Sequence, residues 1–136
     1  MAEYLLILRV ENLIAGFRHE GGDVGFSDLW VSSNGAEWNL ITPNGLMGTI
    51  QGHEMLTYHN AILLVGGLDA KTNLGSASTW FSFNGRDWQK TDIDGKWAPR
   101  EDVRVAIFKN SLFIYGGMSD KWQWQGDLWH TALPTI

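Results

Sequence analysis

One plan of residues recurs along this chain at an interval of about fifty, and that interval constrains the fold more than any local pattern does. Gly16, Gly66 and Gly116 are equally spaced. Trp30 and Trp80 lie fifty apart, and Trp129 falls one residue short of the next step. The run Ser32-x-Asn34-Gly35-x-x-Trp38 returns as Ser82-x-Asn84-Gly85-x-x-Trp88. A fixed period of this length, with paired glycines and recurring Trp, marks a repeat architecture in which each unit packs on its neighbours. The repeats cover about 1–50, 51–100 and 101–136 and are read as one domain.

Each copy opens with two β-prone runs joined by a turn. In the second copy these are Leu56-Thr57-Tyr58 and Ile62-Leu63-Leu64-Val65, separated by His59-Asn60. In the third they are Val103–Phe108 and Leu112–Tyr115, separated by Lys109-Asn110. The second run of each pair is continuously apolar, which predicts a strand buried on both faces. A loop of roughly ten residues follows, then a third strand around Trp30, Trp80 or Trp129. Asn34-Gly35 and Asn84-Gly85 predict two-residue type I′ turns into a fourth strand. The third copy ends in Ala132-Leu133-Pro134-Thr135-Ile136, with neither an Asn-Gly turn nor a fourth strand. The expected strand count is therefore four, four and three, with no helix.

A four-stranded antiparallel unit repeating every fifty residues, with Gly-Gly after its second strand, resembles the kelch repeat. Ser111–Gly117 followed by Gly126–Trp129, and Ala98-Pro99-Arg100 ahead of a first strand, carry the resemblance best. Ile62–Trp88 carries it again, while Phe17 replaces the second glycine of the first copy. The resemblance spans nearly the whole chain and implies an all-β fold of β-propeller blades. It also implies that Asp28 and Asp127 bind backbone N–H groups beside the third strand and do not act as acids. The departure is the copy number: a propeller closes with roughly four to eight blades, and three incomplete copies are present. Two chains of three blades would make a six-bladed ring, and closed two-fold dimers are the commonest homo-oligomers. Self-association as a homodimer is the expectation. A piece of a larger propeller is the alternative.

Strand direction alternates, so the loops after the second and fourth strands share one face. Binding on a rigid scaffold resides in such long loops. The candidate ligand-binding residues are Arg18 and His19 in the first loop, Asp69 and Lys71 in the second, and Asp120, Lys121, Trp122 and Trp124 in the third. Trp97 and Arg100 join them from the linker ahead of the third copy. Trp122-x-Trp124 within a polar loop suits stacking on a sugar ring or anchoring a protein partner. Trp38 and Trp88, which recur at one position, are read as packing between repeats.

The leading functional expectation is a binding scaffold for a protein or a glycan. The runner-up is a propeller enzyme acting on sugars, of the sialidase, lyase or epimerase type. It is favoured only if charge pairs such as Arg100 with Glu101 or Arg18 with Glu20 converge. The Ser-x-Asn-Gly-x-x-Trp run resembles the Asp-box of sialidases, with Asn in place of Asp and one residue missing before Gly. Kelch-related oxidases need a Cys-modified Tyr and copper, and this chain has no Cys. No cofactor or metal is expected, since His19, His53, His59 and His130 stand at no metal-pair spacing. A net charge of −5 argues against nucleic acid or an anionic membrane as partner. Zero Cys fits a reducing compartment. Leu5–Leu8 lacks a basic flank and a cleavage site, so it reads as a strand and a cytoplasmic location is expected.

Overall fold

The computed structural model describes residues 6–7, 14–16, 19–20, 24–25, 28–32, 34–42, 50–69, 72, 74–91, 93, 97–119 and 121–135, up to Gly25 and at Gln51 by backbone only. The first repeat holds β1 (Leu6–Ile7), β2 (Ile14–Gly16), β3 (His19–Glu20), β4 (Val24–Gly25), β5 (Leu29–Ser32) and β6 (Asn39–Thr42). The second holds β7 (Ile50–Gln51), β8 (Glu54–Tyr58), β9 (Ala61–Val65), β10 (Leu68–Asp69), β11 (Leu74–Gly75), β12 (Thr79–Ser82) and β13 (Gln89–Lys90). The third holds β14 (Arg100–Glu101), β15 (Arg104–Phe108), β16 (Ser111–Tyr115), β17 (Met118–Ser119) and β18 (Leu128–Ala132). No helix occurs among the described residues.

Three main antiparallel sheets follow the repeats. Their strand orders are β1-β2-β5-β6, β8-β9-β12-β13 and β15-β16-β18. The four, four and three strands expected from the repeat are present, and each sheet is open. Three short ladders were not anticipated: β3 with β4, β7 with β10 and β11, and β14 with β17. They arise where the loops were expected, and the β7–β10 and β14–β17 pairings form because the first hairpin of a repeat breaks and then resumes. Glu54 pairs with Val65 and, past a two-residue gap on each strand, Gln51 pairs with Leu68. Arg104 with Tyr115 and Glu101 with Met118 repeat the pattern. The gaps hold Gly66-Gly67 and Gly116-Gly117, all four at positive φ, a region that residues with a Cβ rarely enter.

The turns reverse the sequence expectation. Tyr58 pairs with Ala61 and Phe108 with Ser111, so His59-Asn60 and Lys109-Asn110 are the two-residue connections. Lys109 and Asn110 take φ of 48° and 59°, which is the type I′ requirement. At Asn34-Gly35 and Asn84-Gly85 only the glycine has positive φ, at 77° and 72°. The ladder there closes at Val31–Asn39 and Phe81–Gln89, so the connections from β5 to β6 and from β12 to β13 are longer than two residues. The Ser and Asn side chains hold them. Ser82 Oγ accepts from the Gly85 amide at 2.9 Å, and Asn84 Oδ1 accepts from the Arg86 and Asp87 amides at 2.8 Å each. Trp88 Nε1 then donates to the Gly85 carbonyl at 3.0 Å. Ser32, Asn34 and Trp38 repeat these bonds. The motif is thus a side-chain-wired loop of the Asx and Ser-turn kind.

The cores lie between sheets. Strand β9 is buried along its whole length, as its unbroken apolar run predicts. Ile62 and Leu64 face one way and join Leu29, Met55 and Trp88, with Ile41 and Trp80 packed against them. Leu63 and Val65 face the other way and join Tyr58, Trp97, Val103, Leu112, Ile114 and Leu133. Each such side chain contributes about 2 kcal/mol on burial. The second sheet is therefore sandwiched between the first and the third. Trp88 packs between sheets as its recurrence suggests, whereas Trp38 is only half-buried. Backbone bonds reinforce the second junction: Gly67 donates to the Arg100 carbonyl at 3.0 Å, and Asp102 donates to the Gly52 carbonyl at 2.7 Å.

Candidate functional site

The long-loop side of the third repeat is organised by Arg100. Its neighbour Pro99 and the start of β14 bring it beneath the Gly116-Gly117 break, where the residue is only 1% exposed. Nε donates to the Ala98 carbonyl at 3.0 Å and Nη1 to the Gly116 carbonyl at 3.0 Å. Nη1 and Nη2 donate to the two Asp127 oxygens at 2.6 and 3.0 Å. Trp129 Nε1 adds a bond to Asp127 Oδ2 at 2.5 Å. Arg100 hydrogen bonding, followed by that of Trp129, holds the Asp127 carboxyl well below the usual carboxylate range. One guanidinium thus fixes the linker, the end of β16 and the start of β18.

This arrangement corrects two candidates. Trp97 is buried in the second core, and Arg100 is spent on Asp127 and two carbonyls. Neither presents a surface to a ligand. Arg100 binds Asp127, and no bond joins it to Glu101, so that convergence expected of a catalytic pair is not formed. Burial, followed by repulsion from Asp102, raises the Glu101 carboxyl. The expectation for Asp127 and Asp28 also changes in detail. Their carboxylates accept from the indoles of Trp129 and Trp30, the latter at 2.6 Å. The signal was the Asp-x-Trp spacing, shared by 28–30 and 127–129.

Above the Arg100 anchor the chain forms a narrow hairpin. Gly116 donates to the Asp127 carbonyl at 3.2 Å, Gln125 to Gly117 at 2.8 Å and Ser119 to Gln123 at 3.0 Å. Met118 and Trp124 form a bridge between these rungs. At the tip, Trp122 donates its amide to Ser119 at 2.9 Å and takes a φ of 57°, left-handed backbone that non-glycine residues seldom adopt. The outcome is a backbone-braced display of two indoles, Trp122 66% and Trp124 70% exposed. Lys121 and Gln123 are exposed beside them. The corresponding loop of the second repeat has the same rungs, Gly66 to Ser78 and Ser76 to Gly67. There Gly75, paired with Leu68, stands where Trp124, bridged to Met118, stands in the third repeat.

The remaining candidates are scattered. Asp69 is half-buried on β10, and its Oδ1 accepts from the Thr72 amide at 3.2 Å, closing a turn. His19 lies on β3, its side chain outside the description. Arg18, Lys71 and Asp120 lie outside the described residues, and so does the Arg18–Glu20 pairing. His53 is buried, and desolvation lowers its pKa from 6.5 to about 4. Among the described residues no group of three or more His, Asp or Glu could hold a metal ion, and no helix is long and apolar enough to cross a membrane.

No known protein-family model matches the chain, and no curated protein matches it.

Proposed function

We propose that the chain is a binding scaffold whose third long loop recognises a glycan through Trp122 and Trp124. The observation that carries this is the exposure of both indoles on a loop braced by its own backbone rungs. Aromatic side chains displayed on rigid backbone bind without a large ordering cost, because the conformation is set beforehand. An indole face accepts the C–H-rich face of a sugar ring, and its N–H remains for a hydroxyl. The neighbours Lys121, Gln123 and Gln125 are polar. That suits a hydroxyl-rich ligand better than the apolar centre of a protein interface. The net charge of −5 favours neutral sugars over acidic ones.

An array of neutral and acidic oligosaccharides probed with the labelled chain tests the reading. Retention by a neutral class supports it. A blank array with retention on an immobilised protein partner would replace the glycan by a protein surface.

A further inference from the structure

The third sheet has one covered face and one bare face. Val103, Val105, Ile107, Leu112, Ile114 and Trp129 pack toward the second sheet. The opposite face carries Phe108, Phe113, Tyr115, Leu128 and His130. The register sets these in rows: Arg104, Tyr115 and Leu128 in one, Ala106, Phe113 and His130 in the next. The His130 ring stacks on Phe113 with centroids 5.5 Å apart.

The repeat says what kind of surface this is. Stepping back fifty residues from Phe108 and Tyr115 gives Tyr58 and Val65. Those two are 6% and 0% exposed because the third sheet covers them, whereas Phe108 and Tyr115 are 62% and 55% exposed. Leu128 is 64% exposed in the same plane. The third sheet thus repeats the covered face of the second, and among the described residues its Phe108, Tyr115 and Leu128 stay exposed there. Exposed apolar residues in such a contiguous row mark an interaction surface.

The matching half is carried on the first sheet. Trp80 packs into the core that joins the first and second sheets. Its equivalent, Trp30, alternates with Leu29, which faces the second sheet, so Trp30 points the other way. Leu40 pairs with Trp30 across the strands and is 45% exposed. The two halves of one sheet-on-sheet junction therefore stand at opposite ends of the array.

We infer that the bare face of the third sheet docks onto the outward face of the first sheet of a second copy, reciprocally, so that two copies close a ring of six sheets. Continuity with the junctions inside the chain supports this, since each already joins the same two kinds of face. The closed count falls within the four to eight units that such rings take, and a two-fold axis relates the copies.

The test is light scattering on the 136-residue chain at micromolar concentration, with a paired cross-link. Twice the chain mass is expected, falling to the single mass in Phe108→Lys/Leu128→Lys with strand-type circular dichroism retained. The wild-type chain has no Cys, so Leu40→Cys and Leu128→Cys each supply one thiol. A bismaleimide should join the two variants when mixed and leave each alone uncoupled. A folded wild-type monomer, an open ladder of higher masses, or Leu128→Cys coupling to itself would each overturn the inference.

Discussion

Arg100 and Asp127 stand 27 residues apart in the chain and meet through two hydrogen bonds of 2.6 and 3.0 Å. The guanidinium is almost wholly buried and the carboxylate side is about a third open. Removing the carboxylate leaves a buried charge with too few acceptors, which costs more than the pair contributes. Asp127→Asn should lower unfolding stability by on the order of 3 kcal/mol. Replacing both, as Arg100→Met with Asp127→Leu, should recover part of that loss. Urea unfolding of the wild type and the two variants measures both effects. A double variant less stable than Asp127→Asn would contradict this account of the pair.

Gly117 tests the break between the ladders. At φ 92° an added Cβ would stand 2.6 Å from the Glu101 carbonyl oxygen. Gly117→Ala should therefore destabilise by about 3 kcal/mol or more, strain and clash together. Gly35→Ala has the same sign of φ but open space around it, and about 1 kcal/mol is expected from backbone strain alone. Gly126→Ala meets neither constraint and should stay within about 0.5 kcal/mol of wild type. Melting temperatures in any other order would show that the Gly-Gly step is not the tight crossing described.

The wired loops give a third expectation. Ser82 Oγ is buried and serves the Asn84 and Gly85 amides. Ser82→Ala should cost about 1–2 kcal/mol, since two amides lose an acceptor. Asn84→Asp keeps the accepting oxygen but sets a carboxylate against Asp87, to which the Asn84 amide donates at 2.7 Å, so its loss should fall between wild type and that of Asn84→Leu. Equal losses in the two Asn84 variants would remove the side-chain acceptor from the explanation.

Acid should weaken the fold through His53. Its imidazole titrates near 4 in the folded chain and near 6.5 unfolded. Between those values the unfolded state binds the extra proton, so stability falls as pH drops. From pH 7 to pH 5 the loss from this group is about 2 kcal/mol. Glu54 and Glu101, raised by burial, act in the opposite sense, because their folded forms hold protons more tightly. The comparison is therefore between wild type and His53→Leu in urea at both pH values. The variant should lose about 2 kcal/mol less over that range; parallel losses would rule His53 out as the source.

Much of the fold was legible because it rests on periodicity. The fifty-residue step located the hairpins, and the unbroken run Ile62–Val65 announced a strand covered on both sides. Turn chemistry was less legible. Asn-Gly can open a type I′ turn, but the Ser two residues earlier captures the Gly amide and draws the chain into a wider loop. The Lys109-Asn110 pair adopts left-handed backbone at both positions without a glycine to signal it. Trp97 and Arg100 were misplaced for a related reason. A linker position says nothing of which way a side chain turns, and Arg100 turns inward toward an Asp 27 residues away. Trp122 and Trp124 stand out in the sequence as alternate indoles among Lys and Gln, and what the structure adds is that both are exposed.

Binding by those two indoles is the central claim, and one preparation tests it directly. Melting temperature and retention on neutral oligosaccharides are measured together for wild type and for Trp122→Ala/Trp124→Ala. Both side chains are exposed, so stability should change by less than about 1 kcal/mol, while retention should fall at least tenfold. Retention unchanged by the double substitution, or a collapse in melting temperature with binding intact, would contradict the claim and assign the indoles to packing.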